Sequence, residues 1–227
     1  MKNKMNDNLL RFDKKQKYLC FDFETCHLNL LNSDNKPWQI GYGTFQGKKS
    51  LKTFDRLIQW SDLNVSPEAA KICQFNRKHY EKNSTDATAI LEEFESYLYD
   101  PSYLIIGHNL LGFDVYIHNI YRKLLKKQSD YSYVDRIIDT NCIAKAAKEK
   151  IKKGKDEPLI NWQYKLNEFR KRGLKTNQKQ LLKDYDIRFD ENKLHDAGYD
   201  INMTFKIFNK LIWEVEIYVV PKYLRRV

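Results

Sequence analysis

The stretch YLCFDFET, residues 18–25, decides the reading: an apolar run, Tyr18-Leu-Cys-Phe, leads into Asp22, Phe23 and Glu24. Such a run reads as a β-strand, whose side chains alternate between two faces. Asp22 and Glu24 therefore share one face, while Phe23 points to the other and into a core. Carboxylates this close repel one another. Among apolar neighbours they are also costly to desolvate unless a cation neutralises them. Two later stretches add to the pair: HNLLGFD at 108–114 supplies Asp114, and HDAGYD at 195–200 supplies His195 and Asp200. Alone, Asp114 would read as a helix-start residue, and His195 with Asp200 as a polar loop entering a helix. Together they fill several catalytic roles at once. Hard oxygen donors in this number suit Mg²⁺ or Mn²⁺ rather than zinc.

With these residues the chain resembles the DEDD superfamily of 3′→5′ exonucleases in its histidine-containing branch, which includes polymerase proofreading subunits and RNase T. The resemblance spans residues 16–212 and includes VSPEAAKICQFN at 65–76 and LLKDYDIRFDENKLHDAGYD at 181–200. The tyrosine branch places Tyr four residues before the last Asp, where this chain has Asp196; the histidine branch places His five before it, and His195 fits, with Ala197 at the small-residue position. One departure is a spacer of three residues, Leu110 to Gly112, between Asn109 and Phe113, where proofreading subunits usually have two.

The resemblance implies an α/β, ribonuclease-H-like mixed sheet of five strands with flanking helices. It implies two metal ions: Asp22 bridging both, Glu24 and Asp200 completing the site of the water-activating ion, and Asp114 holding the second. His195 would accept a proton from the attacking water. Thr25 would touch the terminal nucleotide, and Asn109 would shape the loop before Asp114 or contact substrate. The activity implied is release of nucleoside monophosphates from the 3′ end of single-stranded nucleic acid, with DNA slightly favoured. The rivals are an RNA-trimming exoribonuclease, which would need contacts to the 2′-OH, and a non-catalytic nucleic-acid-binding or polymerase-accessory module.

Composition agrees with a globular enzyme. Of 227 residues, 42% are hydrophobic and 14% aromatic, enough for a sizeable core. The chain is expected to form a loose segment at 1–15 and one exonuclease domain over 16–227. No apolar run approaches a membrane span, and the N-terminus lacks the apolar core of a signal peptide. The expected compartment is the cytoplasm. Cys20, Cys26, Cys73 and Cys142 form no C-x-x-C pair, so buried reduced thiols are expected rather than a zinc site.

The net charge of +10 is uneven: residues 145–179 hold twelve Lys or Arg against four Asp or Glu, a local excess of eight. A phosphate backbone beside an acidic centre needs such cations. Lys150, Lys152 and Lys153 are expected to hold the strand upstream of the cleaved end, with Trp162 or Tyr164 stacking on it. The competing readings of the segment are a solvated surface insertion and a docking site for a protein partner; for the protein as a whole, the candidate partner is a polymerase or replication protein.

Patterning predicts strands near 17–24, 38–45, 50–56, 103–106 and 134–139, and helices over 66–80, 86–99, 114–127 and 198–217. Asp139 is expected to cap a further helix opening at Thr140. Pro158 breaks any single helix through 145–172, a segment whose pattern is otherwise unreadable, as is the tail from Pro221.

Overall fold

The computed structural model describes residues 9–31 and 35–218, so the tail from Pro221 lies outside the described residues. Five strands form one sheet in the order β3-β2-β1-β4-β5: β1 Lys17–Thr25, β2 Pro37–Gln46, β3 Lys49–Leu57, β4 Tyr103–Gly107 and β5 Ile137–Asp139. The first three meander antiparallel, and β4 and β5 run parallel to β1. The parallel strands thus all end on the same side. β1 pairs with β4 only through Cys20, so Phe21 to Thr25 project beyond the parallel half of the sheet.

Eight α-helices among the described residues surround the sheet: α1 Pro67–Ile72, α2 Arg77–Asn83, α3 Ala87–Leu98, α4 Asp114–Leu124, α5 Thr140–Glu149, α6 Leu159–Glu168, α7 Gln178–Asp184 and α8 Ala197–Glu214. The alternation in β1 sets both layers. Phe21 and Phe23 pack on Phe94 of α3, with Tyr121 of α4 behind Phe23. On the opposite face Cys20 Sγ lies 3.4 Å from the Ile201 carbonyl oxygen of α8. All four cysteines are buried.

Three segments differ from the sequence reading. The helix expected over 66–80 is two, because Gln74 takes φ +52° and Asn76 caps a new helix through His79 N–H. The strand expected from Val134 begins only at Ile137, after a 3-10 turn. Near the N-terminus, Leu9 and Leu10 are buried, and Leu10 N–H donates to the Ile217 carbonyl.

The segment that patterning left unread closes the sheet. Gln163 of α6 is fully buried; its Oε1 accepts the Asp139 N–H at 2.7 Å and its Nε2 donates to the Ile137 carbonyl at 2.8 Å. One side chain thus pairs the outer edge of β5, an edge that would otherwise be left open. Lys145 reaches from α5 to the end of α6 and donates to the carbonyls of Leu166, Asn167 and Phe169. Gln163→Leu leaves two buried backbone groups without partners, each costing about 1–3 kcal/mol. Urea unfolding should show the fold destabilised by about that amount; an unchanged midpoint would mean that the edge is not held this way.

Candidate active site

Each acidic residue reaches the end of β1 by a separate local device. Asp22 and Glu24 stand half-buried on the face that α8 covers. Asp114, the first residue of α4, is buried, and its Oδ1 accepts the Phe23 N–H at 3.0 Å. That N–H is unclaimed because β4 has already ended, so the projection of β1 supplies the anchor for the second acidic segment. A bulge between Glu24 and Thr25 shifts the ladder with β2 just before its last pair, Thr25 with Pro37, and bulges are common beside active sites.

The loop that delivers Asp114 is held by Asp139. This carboxylate is fully buried and accepts N–H bonds from Asn109 at 2.9 Å and Leu111 at 3.0 Å, besides capping α5 through Asn141 N–H at 2.9 Å. The cap was legible in sequence; the clasp on the loop was not. The three-residue spacer is absorbed by a 3-10 turn, Leu110–Gly112, with Asn109 at φ +66°. His108 is a structural neighbour of this loop: its Nδ1 lies 2.9 Å from Thr140 Oγ1, and burial pulls its pKa down to about 4.

Asp200 arrives through a backbone contact. Gly41 stands in β2 between Asp22 of β1 and Asp55 of β3. A Cβ at Gly41 would lie 2.2 Å from the carbonyl carbon and oxygen of Ala197. Only glycine lets the start of α8 settle on the sheet here, a use of strand glycine that the sequence reading did not make. Asp196 caps α8 through Tyr199 N–H at 2.8 Å. Asp200 Oδ2 accepts the His195 N–H at 3.0 Å, while its Oδ1 is buried with no hydrogen-bond partner. His195 itself takes φ +67°.

The result is a converged centre. Ligand atoms of Glu24, His195 and Asp200 all lie within 4.8 Å of one another, the one such group among the described residues. Burial raises the pKa of Asp22 well above the carboxylate range, and Asp114, Glu24 and Asp200 add to the rise in that order. Glu24 is raised by burial and then by Asp200; Asp114 and Asp200 are raised chiefly by burial. His195 is exposed, yet desolvation by the protein beside it lowers its pKa, which keeps the imidazole neutral. Clustered acids whose charge the protein does not balance, together with an orphaned Asp200 Oδ1, fit a hard divalent cation. Cys26 and His27 join no such group.

The residues expected to bind substrate fare differently. Thr25 is buried and its hydroxyl donates to the His27 carbonyl at 2.6 Å, which leaves its backbone for a ligand. Trp162 is a correction: it is 3% exposed and packed in the core, so it cannot stack on a base. Tyr164 is exposed. Lys150 ends α5, whose start is at Asp139; ten residues at about 1.5 Å each put it roughly 15 Å from the acidic end. Lys152 and Lys153 follow it there, beside Glu214 and Glu216 at the far end of α8. Lys153 Nζ is bonded to the Gly154 and Glu157 carbonyls, both at 2.7 Å.

Acidic side chains from three separate segments, gathered where a mixed five-stranded sheet ends, define the DEDD class of exonuclease. The sequence profile of the exonuclease family named for RNase T matches residues 19–208, and the chain belongs to that family. Among curated proteins none matches it in sequence. Its structure is similar to E. coli Exonuclease I in complex with a dT13 oligonucleotide, at 15% identity and TM-score 0.66 over 87% of this chain and 41% of that one. The zinc-ion-bound E. coli Exonuclease I–ssDNA complex gives 15%, 0.65, 86% and 40% in the same order. SSB/Exonuclease I in complex with the inhibitor CFAM gives 13%, 0.65, 87% and 43%. The chain therefore spans less than half the length of these structures, with which it shares the ribonuclease-H-like fold. No helix among the described residues is long and apolar enough to cross a membrane.

Two consequences can be measured without substrate. Because the folded state raises the pKa of Asp22, the metal-free protein loses stability as pH rises from the unfolded carboxylate range toward the raised value. Asp22→Asn should therefore melt higher than the parent in EDTA, by about 2–4 °C for each 1 kcal/mol relieved, with a gap that widens from pH 5 to pH 8. Mn²⁺ should raise the melting temperature of the parent and do so much less in the variant. An equal Mn²⁺ shift in both would remove Asp22 from the metal centre. Gly41→Ala should lower stability by about 1–3 kcal/mol, the usual cost of overpacking, and weaken the Mn²⁺ shift; tolerance of the methyl group would refute the close approach of α8.

Proposed function

We propose that the protein is a metal-dependent 3′→5′ exonuclease of the histidine branch, releasing nucleoside monophosphates from single-stranded nucleic acid, DNA in preference to RNA. The observation that supports this reading is the gathering of Glu24, His195 and Asp200 within 4.8 Å, with Asp22 in electrostatic repulsion with Asp114, Glu24 and Asp200 and one buried carboxylate oxygen of Asp200 without a partner. A non-catalytic module has no use for so costly an arrangement. The solved complexes of Exonuclease I with dT13 and with single-stranded DNA support the choice of substrate.

Two Mg²⁺ or Mn²⁺ ions would supply water activation and neutralise charge on the leaving oxygen. Asp22, central among the acids, would face both ions. Glu24 and Asp200 would complete one site and Asp114 the other. His195 would take the proton from the attacking water at a ring nitrogen, which its lowered pKa leaves unprotonated. Its backbone tie to Asp200 keeps that ring beside the acids. The cavity of about 960 Å³ that borders His195, lined also by Gln74, Asn76 and Tyr199, has room for the terminal nucleotide. A protein partner is supported by the solved SSB/Exonuclease I structure; nothing in the fold favours a polymerase specifically.

The test is degradation of 5′-end-labelled single strands of DNA and RNA with Mg²⁺, with Mn²⁺ and with EDTA. A ladder that shortens from the 3′ end, faster on DNA and stopped by EDTA, is expected; no degradation under any condition would refute the reading. His195→Gln should lose about 10²–10⁴-fold in turnover while keeping the Mn²⁺ melting shift. A variant with the parent rate would make His195 structural.

A further inference from the structure

The excess positive charge of residues 145–179 is not uniformly available. Lys148 pairs with Asp184, Lys165 with Glu157 and Lys171 with Glu149. Among the rest, Lys145, Arg170, Arg172 and Lys175 stand around two adjoining depressions, while Lys150, Lys152 and Lys155 line a separate one beside Glu214 and Glu216. Between the loop that leads into Asp114 and residues 167–176 lies a groove of about 240 Å³, lined by Asn109, Asn141, Asn167, Arg170, Lys171 and Thr176. Its wall is braced by hydrogen bonds: Thr176 Oγ1 donates to Asn141 Oδ1 at 2.6 Å, and Asn141 Nδ2 donates to Asn109 Oδ1 at 3.2 Å.

Below the groove lies Lys145, a buried cation whose hydrogen bonds go to three carbonyls and to no carboxylate. Arg170 also bonds only carbonyl oxygens, those of Asn167 and Phe169. Arg172 and Lys175 line the adjoining depression, and their side chains have no hydrogen bond or ion pair among the described residues. One 3-10 turn separates Asn109 in the groove wall from the segment that carries Asp114. Amide donors beside unpaired cations, next to an acidic centre, suit a phosphodiester better than a base edge.

We propose that this groove and the depression that adjoins it hold the phosphodiester backbone of the strand upstream of the scissile bond, with Arg170 as the cation of the first and Arg172 and Lys175 as those of the second. The proposal rests on the exonuclease reading above and leads the strand from the loop before Asp114 toward the last turn of α5, where Lys148 and Glu149 border Arg172 and Lys175. A sequence-independent grip of this kind lets an enzyme retain a strand whatever base comes next.

The test compares the parent with Arg170→Gln/Arg172→Gln/Lys175→Gln on an oligothymidylate of about 16 nucleotides and on a dinucleotide. The variant should raise KM for the long strand by about tenfold or more at low salt, with kcat within about twofold, and raise KM for the dinucleotide far less. The slope of log K against log salt should fall by about 0.7 for each phosphate contact removed. Should the triple variant fail to fold, Arg172→Gln/Lys175→Gln touches only side chains without partners and should show the same pattern at smaller size. Parent-like KM and salt slope would overturn the groove and leave the cations to an acidic protein partner. A loss that instead follows Lys150→Gln/Lys152→Gln would overturn it as well. If the parent degrades neither substrate with either ion, the exonuclease reading itself has failed.

Discussion

The start of α8 lies directly on the sheet at Gly41, and the arrangement of the acidic centre depends on that contact. A methyl group there would meet the Ala197 backbone at 2.2 Å, and Asp200, one turn further on, would be lifted away from Asp22 and Glu24. The sequence around the contact is small on both sides, Gly41 in the strand and Ala197-Gly198 in the helix. Backbone approach, rather than side-chain packing, sets how far apart the acids stand.

Holding them there has a cost, visible in the upward pKa shifts of all four. The protein offsets part of it with backbone N–H groups: Phe23 bonds Asp114 and His195 bonds Asp200. The remainder is left for a cation. Asp139 and Gln163 belong to the same economy of buried polar groups, since each satisfies main-chain groups where a strand or loop ends. Neither touches the centre, yet the loop carrying Asp114 is tied to the first and the edge of β5 to the second.

Much of this was legible in the sequence. Alternation in YLCFDFET placed the first acids on one face and Phe23 in the core, and the five strands and the capping role of Asp139 followed from pattern and residue type. The rest was hidden for identifiable reasons. Periodicity says that a helix has an apolar side but not which neighbour it meets, so Trp162 looked available for stacking when it is core. A run of lysines says nothing of which are paired, or at which end of the sheet they stand. Gly41, one of two glycines in β2, was an available sign of a close approach, and Gln74 at φ +52° broke a helix that composition alone would continue.

The order of the acidic segments along the chain also bears on how the molecule assembles. Asp22 comes from the first strand and Asp200 from the last helix, which packs against β1 and β2 late in the sequence. Contacts so distant along the chain are slow to form, because loop-closure entropy must be overcome first. Asp200 therefore joins Asp22, Glu24 and Asp114 only as α8 docks on the sheet. Its share of the repulsion enters only with that docking, whereas the larger share from Asp114 is set where the Phe23 N–H anchors the start of α4.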